Sequence, residues 1–258
     1  MKHKRILSLA VATAAAVSMG GVSLFAGQPG GELGKQQPKW HIDHIPPAPV
    51  LTPDEELKTF KLPPGFHMEL VAAEPMVQEP ICLTWDADGR MYVVELRAYM
   101  PDVEATGEMN PIGRVVRLES SKHDGKYDQR TVFLDHLSIP RAVSLAGNGV
   151  LVAEPPNVYL CTDKDSDGVA DPGKKTIFTD FASKNPDPEH MANGMVPCMD
   201  NWYYSANWPF RFKYTAKGEF LRDPTLSRGQ WGICQDDVGR IFYNSNSTML
   251  QCDLFPAQ

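Results

Sequence analysis

Hydrophobic and polar positions beyond residue 80 follow one recurring pattern: an apolar approach, a turn that holds Asp, Asn or Gly, and a β-rich run. Four copies occur, at residues 83–96, 144–154, 196–207 and 234–246. Gly and Asn tolerate positive φ, so such a turn between alternating apolar residues predicts a β-hairpin in each copy. The predicted turn residues are Gly89, Gly149, Asn201 and Gly239.

A second repeat is interleaved with the first. Residues 115–135 align with residues 158–180, an offset of 43 residues, and Asp124-Gly125 falls on Asp167-Gly168. This period suits a four-stranded propeller blade, a unit that buries both of its faces only by stacking on neighbouring blades. The repeats therefore predict an all-β fold, a β-propeller of four-stranded blades, with a β-sandwich as the alternative.

The length of the repeat region accommodates about four blades. Because propellers have typically 4–8 blades, the chain forms either a compact ring or part of a larger one. The last copy of the pattern ends where a further strand is expected to begin. We therefore favour an incomplete ring of six or more blades.

Three regions are expected along the chain. Residues 1–26 pair a basic start with an apolar run, which predicts a signal peptide or, if it is not cleaved, an N-terminal anchor. Residues 27–53 are a Gly/Pro-rich linker, and residues 54–258 are the propeller domain, which we expect to be truncated at its C-terminus. Thr52 and Glu55 have the spacing of a capping box, which predicts a short helix at the start of that domain.

The composition and net charge of the chain argue against several classes of protein. The chain of 258 residues is 42% hydrophobic, too apolar for an intrinsically disordered protein. Its net charge of −7 argues against a nucleic-acid binder. The five cysteines are too few and too scattered for a disulfide framework, and the chain has no C-x-x-C-H haem-attachment motif.

The strongest candidate metal site is the motif D-x-D-x-D-G-x-x-D, in which carboxylates at alternate positions of a tight loop converge on one hard cation. We expect it to bind Ca²⁺, although a solvated acidic turn is the alternative. The sister loop around Asp124 has fewer acids and contains Lys122 and His123, so it is expected to fold without metal. The predicted ligands are Asp163, Asp165, Asp167, the Val169 carbonyl and Asp171.

Other candidate site residues lie at blade edges. His190 lies before a predicted inner strand, where a propeller faces its central channel, and histidine can accept a proton near neutral pH. Arg97 and Arg141 lie at similar positions, where each could bind an anionic group. The structural alternatives are a histidine bonded to a neighbouring blade and arginines in salt bridges, for example with Glu95 or Glu154.

Several segments together resemble one family, the membrane-bound dehydrogenase domain of planctomycete and verrucomicrobial exported proteins. The segments are residues 51–75, 85–99, 111–119, 190–207 and 229–247. Chains of that family usually continue into helical-repeat or haem-binding modules. The resemblance therefore implies the front part of a longer protein, without haem in this portion.

More distantly, the stretch from His190 to Asp200 resembles the soluble quinone-dependent glucose/sorbosone dehydrogenases, which are Ca²⁺-dependent propellers that use PQQ. This resemblance implies an exported, periplasmic or cell-surface oxidoreductase that transfers hydride from a sugar or alcohol to PQQ, with a cytochrome as electron acceptor. It makes His190 the general base, and we expect Arg97, Arg141 and Arg211 to bind the cofactor. The alternatives are a non-catalytic propeller that binds carbohydrate or protein, and a Ca²⁺-dependent lactonase-type propeller.

Overall fold

The computed structural model describes residues 48–182 and 187–254. The chain divides into residues 1–50 and 51–258, and every described helix and strand belongs to the second unit. Helix α1 (Pro53–Leu57) opens this unit, and Thr52 and Glu55 form the capping box that their spacing predicts. The helix is short because none of its residues is buried, so no tertiary packing extends it.

Four antiparallel sheets follow in chain order, and in each sheet every strand pairs with the next one along the chain. The first is β1 (Pro80–Trp85), β2 (Met91–Glu95), β3 (Gly113–Glu119) and β4 (Gln129–Leu137). The second is β5 (Ala142–Ala146), β6 (Gly149–Glu154), β7 (Asn157–Cys161) and β8 (Lys175–Phe178). The third is β9 (Asn193–Pro197), β10 (Tyr203–Ala206), β11 (Phe210–Tyr214) and β12 (Phe220–Pro224). The fourth is β13 (Ile233–Gln235), β14 (Ile241–Ser245) and β15 (Thr248–Cys252).

These sheets are the blades of a β-propeller, which we number 1 to 4. The first strand of each blade contacts the first strand of the next, so β1, β5, β9 and β13 lie side by side around one axis. The all-β propeller prediction is confirmed. Blades 1 to 3 have four strands, and blade 4 has three within the described residues.

Most of the hydrophobic core lies in layers between successive blades, and the other face of blade 1 packs on residues 72–77, which precede β1. Val94 and Phe133 of blade 1 pack with Val152 of blade 2, and Leu151 of blade 2 packs with Trp208 of blade 3. A smaller layer joins blades 3 and 4. Alternate residues of a central strand therefore pack into different layers, and both faces of the strand are buried. This is why the sequences of β2 and β6 are nearly continuous apolar runs and do not alternate between apolar and polar residues.

The predicted hairpins are present, with one local difference. Gly89, Asn201 and Gly239 all adopt positive φ at the turn between the first two strands of their blades. In blade 2 the positive φ belongs to Gly147 instead of Gly149. Gly149 already belongs to β6, and a Cβ there would lie 2.8 Å from the Cys161 carbonyl oxygen, so close strand approach explains the glycine at this position.

Candidate functional site

Segments that lead into the first strands of blades 2, 3 and 4 meet at one end of the propeller. Arg141 immediately precedes β5, His190 lies three residues before β9, and Trp231 lies two residues before β13. The Arg141 guanidinium carbon lies 4.8 Å from the centre of the Trp231 ring, and Trp231 Nε1 donates to the Glu189 carbonyl at 3.1 Å. We call this group the axial site.

Arg141 is the most unusual residue of the axial site. Its side chain is only 1% exposed, and its guanidinium lies against the rings of Tyr99, at 5.5 Å, and Trp231. None of Nε, Nη1 and Nη2 has a hydrogen-bond partner within the described part of the chain. Burial lowers the pKa of Arg141 to about 10, while Glu108 and Asp187 act in the opposite direction. The guanidinium therefore stays charged at neutral pH.

His190 and Asp187 form a second element of the axial site. Asp187 precedes the 3₁₀ turn Pro188–His190, and its Oδ1 accepts from the His190 backbone N–H at 2.8 Å. The same oxygen lies 2.8 Å from His190 Nδ1. A carboxylate partner places the proton on Nδ1, which leaves the Nε2 lone pair of the neutral ring as a base. The side chains are 33% and 45% exposed, so the pair is accessible from solvent.

A buried amide joins the two segments that carry His190 and Trp231. Asn193 Nδ2 donates to the carbonyls of Met191 at 3.1 Å and Gln230 at 2.7 Å, and Asn193 Oδ1 accepts from the Gly232 N–H at 3.3 Å. This network fixes the segment before β13 against the segment before β9. The part of the axial site that carries His190 and Trp231 is therefore held in place by the first strands of blades 3 and 4.

Sequence reasoning missed Tyr99, Asp187, Asn193 and Trp231 as members of the site. Like Arg141 and His190, Trp231 lies one to three residues before the first strand of its blade, so the blade repeat could have indicated it. Tyr99 carried no such signal, because it comes from the long connection between β2 and β3.

The other two predicted arginines have different surroundings. Arg97 Nη1 donates to the Ile112 carbonyl at 3.3 Å, a contact within the connection between β2 and β3. Arg211 lies on β11, where its Nη2 donates to Asp223 Oδ2 at 2.9 Å and its guanidinium carbon lies 4.5 Å from the Trp202 ring centre. Neither side chain has a described contact with Arg141 or His190.

The acids suggested as structural partners of Arg97 and Arg141 pair with other residues. Glu95 is fully buried and lies 3.6 Å from Arg114 Nε and 3.4 Å from Arg130 Nη2. Glu154 lies 3.5 Å from Lys174 Nζ. The suggested salt bridges were therefore wrong, because both acids are satisfied by cations elsewhere.

The predicted metal loop connects β7 and β8 of blade 2. One carboxylate oxygen from each of Asp163, Asp165 and Asp167 lies within 4.8 Å of the other two. Asp163 Oδ1 is buried and has no hydrogen-bond partner among the residues described. Asp171 lies outside this group, and its Oδ2 accepts from Thr162 Oγ1 at 2.7 Å. The loop thus gathers three of the four predicted carboxylates.

Blade 1 contributes a cation to the same loop. Arg117 of β3 donates from Nη1 to Asp163 Oδ2 at 3.1 Å, and this oxygen also accepts from the Gly168 N–H at 3.0 Å. Gly168 is required here, since a Cβ would lie 2.5 Å from Arg117 Nη2 and its φ is +92°. The Ala170 N–H donates to the Phe133 carbonyl at 2.8 Å. The acidic loop therefore joins blades 1 and 2.

Among solved structures, the chain is similar to a gluconolactonase from Xanthomonas campestris at 15% identity, with 68% of this chain and 57% of that chain covered and a TM-score of 0.42. A periplasmic gluconolactonase from Pseudomonas aeruginosa matches at 17% identity, 67% and 57% coverage, and a TM-score of 0.38. A virginiamycin B lyase from Staphylococcus aureus matches at 12% identity, 71% and 58% coverage, and a TM-score of 0.38. The chain thus spans less than two thirds of the length of each of these structures.

No curated protein sequence matches the chain. One family matches it, over residues 52–258, which include all four blades. Because this match covers most of the sequence, the chain belongs to the family DUF7133, a domain of unknown function.

Proposed function

We propose that this domain is the base-bearing part of a propeller oxidoreductase that acts on a hydroxyl group of a sugar or alcohol. The observation that carries the proposal is the His190–Asp187 pair, which is exposed to solvent beside the buried Arg141 cation. A base next to a fixed positive charge suits a reaction in which a hydroxyl oxygen loses its proton.

Three residues of the axial site have separate roles in the proposed reaction. Nε2 of His190 takes the proton of the substrate hydroxyl group. Asp187 keeps the ring in the tautomer that leaves Nε2 free, and it stabilises the imidazolium that forms. The positive charge of Arg141 stabilises negative charge on the bound molecule, and its effect is large because the guanidinium is buried.

The resemblance implies PQQ, which would supply the acceptor for the hydride when bound. The orphaned Arg141 donors match a carboxylate, but the described residues do not bring together the three arginines that were expected at the cofactor. Arg97 and Arg211 are engaged elsewhere. The three arginines therefore do not form one cofactor site within the described residues.

We also propose that Ca²⁺ binds the loop of Asp163, Asp165 and Asp167. The orphaned Asp163 Oδ1 fits a cation, and three carboxylates so close together repel one another unless their charge is neutralised. Arg117 supplies one positive charge at Asp163 from blade 1. A bound Ca²⁺ would brace blade 2 against blade 1, and the Val169 carbonyl stays a predicted ligand.

Export to the periplasm or cell surface and electron transfer to a cytochrome belong to the same proposal. They are supported by the pattern of residues 1–26 and by the family resemblance. Those residues lie outside the described part of the chain. Within the described part, no helix is long and apolar enough to cross a bilayer.

The proposal is tested by dye reduction. The full chain is incubated with PQQ and Ca²⁺, and aldoses and alcohols are supplied as substrates. We expect His190→Gln to lower the rate by about 10²–10⁴, the usual contribution of a positioned base, and Asp187→Asn to lower it less. His67→Gln is the matched control, because His67 also pairs with a carboxylate, Glu69 at 2.6 Å, but is mostly exposed. An unchanged rate in His190→Gln contradicts the base assignment.

A further inference from the structure

Two arginines of the propeller are equally buried but differ in their partners. Arg141 and Arg228 are each 1% exposed. Arg228 donates to Asp253 Oδ2 at 2.8 Å, to Thr225 Oγ1 at 3.0 Å and to the Leu226 carbonyl at 2.8 Å. Arg141 makes no side-chain hydrogen bond to any described residue. Buried polar groups in folded proteins nearly always have a partner, so the missing partner of Arg141 points to a ligand.

The surroundings of Arg141 restrict the shape of that ligand. Aromatic rings of Tyr99 and Trp231 lie against the guanidinium, and a ring face attracts the cation without satisfying its five N–H donors. These donors lie in the plane of the guanidinium, so a partner must approach its edge. A carboxylate matches that edge with two parallel hydrogen bonds.

The acids nearby do not provide this carboxylate. Glu108 and Asp187 are close enough to act on the charge of Arg141, but neither hydrogen-bonds to it. Glu108 Oε1 instead accepts from the Met100 N–H at 3.3 Å, and Asp187 Oδ1 contacts His190. Trp231 is 38% exposed, so the ring that covers Arg141 lies at the solvent boundary.

We propose that Arg141 binds the carboxylate of the substrate, so that the axial site takes a hydroxy carboxylic acid, such as an acidic sugar, rather than a neutral sugar. The inference rests on the proposed function in one respect, that His190 acts on a hydroxyl group of the same molecule. The carboxylate anchors the substrate at Arg141, and the hydroxyl group lies at His190.

Calorimetric titration of the full chain tests this inference. D-Glucuronate and D-glucose differ in the carboxylate at one end, so they are the matched ligands. We expect glucuronate to bind about 100-fold more tightly than glucose, the factor expected for hydrogen bonds to a charged group. Arg141→Met should abolish that difference in affinity. Arg141→Lys should reduce it, because lysine keeps the positive charge but cannot make two parallel hydrogen bonds to a carboxylate. Arg222→Met is the control, since Arg222 pairs with Asp180 at the outer strand of blade 3.

Three results would overturn the inference. The first is glucuronate binding that is unchanged in a folded Arg141→Met or Arg141→Lys variant. The second is inorganic phosphate binding as tightly as glucuronate. The third is a protein that does not bind glucuronate but binds PQQ in an Arg141-dependent way, because this result would assign the arginine to the cofactor. Arg141-dependent glucuronate binding without turnover, by contrast, supports the inference and counts against the proposed oxidoreductase only.

Discussion

Replacing Arg141 by Met should stabilise the ligand-free protein, although it removes a fully buried side chain. The pKa of Arg141 falls from 12.5 to about 10 on burial. This lowering corresponds to about 3 kcal/mol lost on folding while the guanidinium is charged in both the folded and the unfolded state. The full penalty applies below pH 10 and disappears only above the unfolded pKa, so it is present throughout the accessible pH range.

The aromatic contacts offset part of this penalty. Tyr99 and Trp231 each make one cation–π contact with Arg141, worth about 1 kcal/mol apiece. Methionine keeps the packing of the aliphatic stem and removes the charge. We therefore expect Arg141→Met to raise the free energy of unfolding by about 1 kcal/mol.

Equilibrium unfolding in urea at pH 7 measures this change. Far-UV circular dichroism is the suitable probe, since Trp231 fluorescence would respond to the substitution directly, and the buffer must contain no carboxylate. Arg228→Met is the matched control: it leaves Asp253, whose side chain is 12% exposed, without its partner and should cost about 3–5 kcal/mol. A loss of 2 kcal/mol or more in Arg141→Met, at an unchanged denaturant slope, would refute the view that Arg141 lacks a structural partner.

Three further outcomes follow from the structure. Ca²⁺ should raise the melting temperature of the protein. Asp165→Asn should remove this effect, whereas Asp124→Asn in the sister loop should not. No change in melting temperature in the unsubstituted protein would contradict the metal site. Trp208→Ala should cost about 3–5 kcal/mol in urea unfolding, because Trp208 fills the layer between blades 2 and 3, and a change under 1 kcal/mol would show that this layer is not a packed core. In mass-spectrometric labelling at pH 8, the exposed Cys234 should react with a thiol reagent first, and early modification of a buried thiol would contradict the packing. Burial raises the pKa of the three slow thiols to about 12, 11 and 12 for Cys82, Cys161 and Cys198.

Much of the site was accessible from sequence, but only one residue at a time. His190 and Arg141 could be identified because each precedes a copy of the blade pattern, and the acidic loop could be identified because its carboxylates are close in sequence. The partners of these residues were not accessible. Arg117 lies 46 positions from Asp163, and nothing in its own segment, a strand of blade 1, indicates that it crosses to the loop of blade 2.

The sequence by itself determined the blades. Turn residues with positive φ, apolar runs between them and a repeat of 43 positions are local properties, and a hairpin depends on little else. Only the tertiary structure decided which side chains meet. Stacking of the blades around an axis brings Arg141, Trp231 and His190 together from three separate blades, yet leaves Arg211 on β11, the third strand of blade 3. Residues far apart in the chain become neighbours through inter-blade packing, and a local pattern carries no information about such contacts.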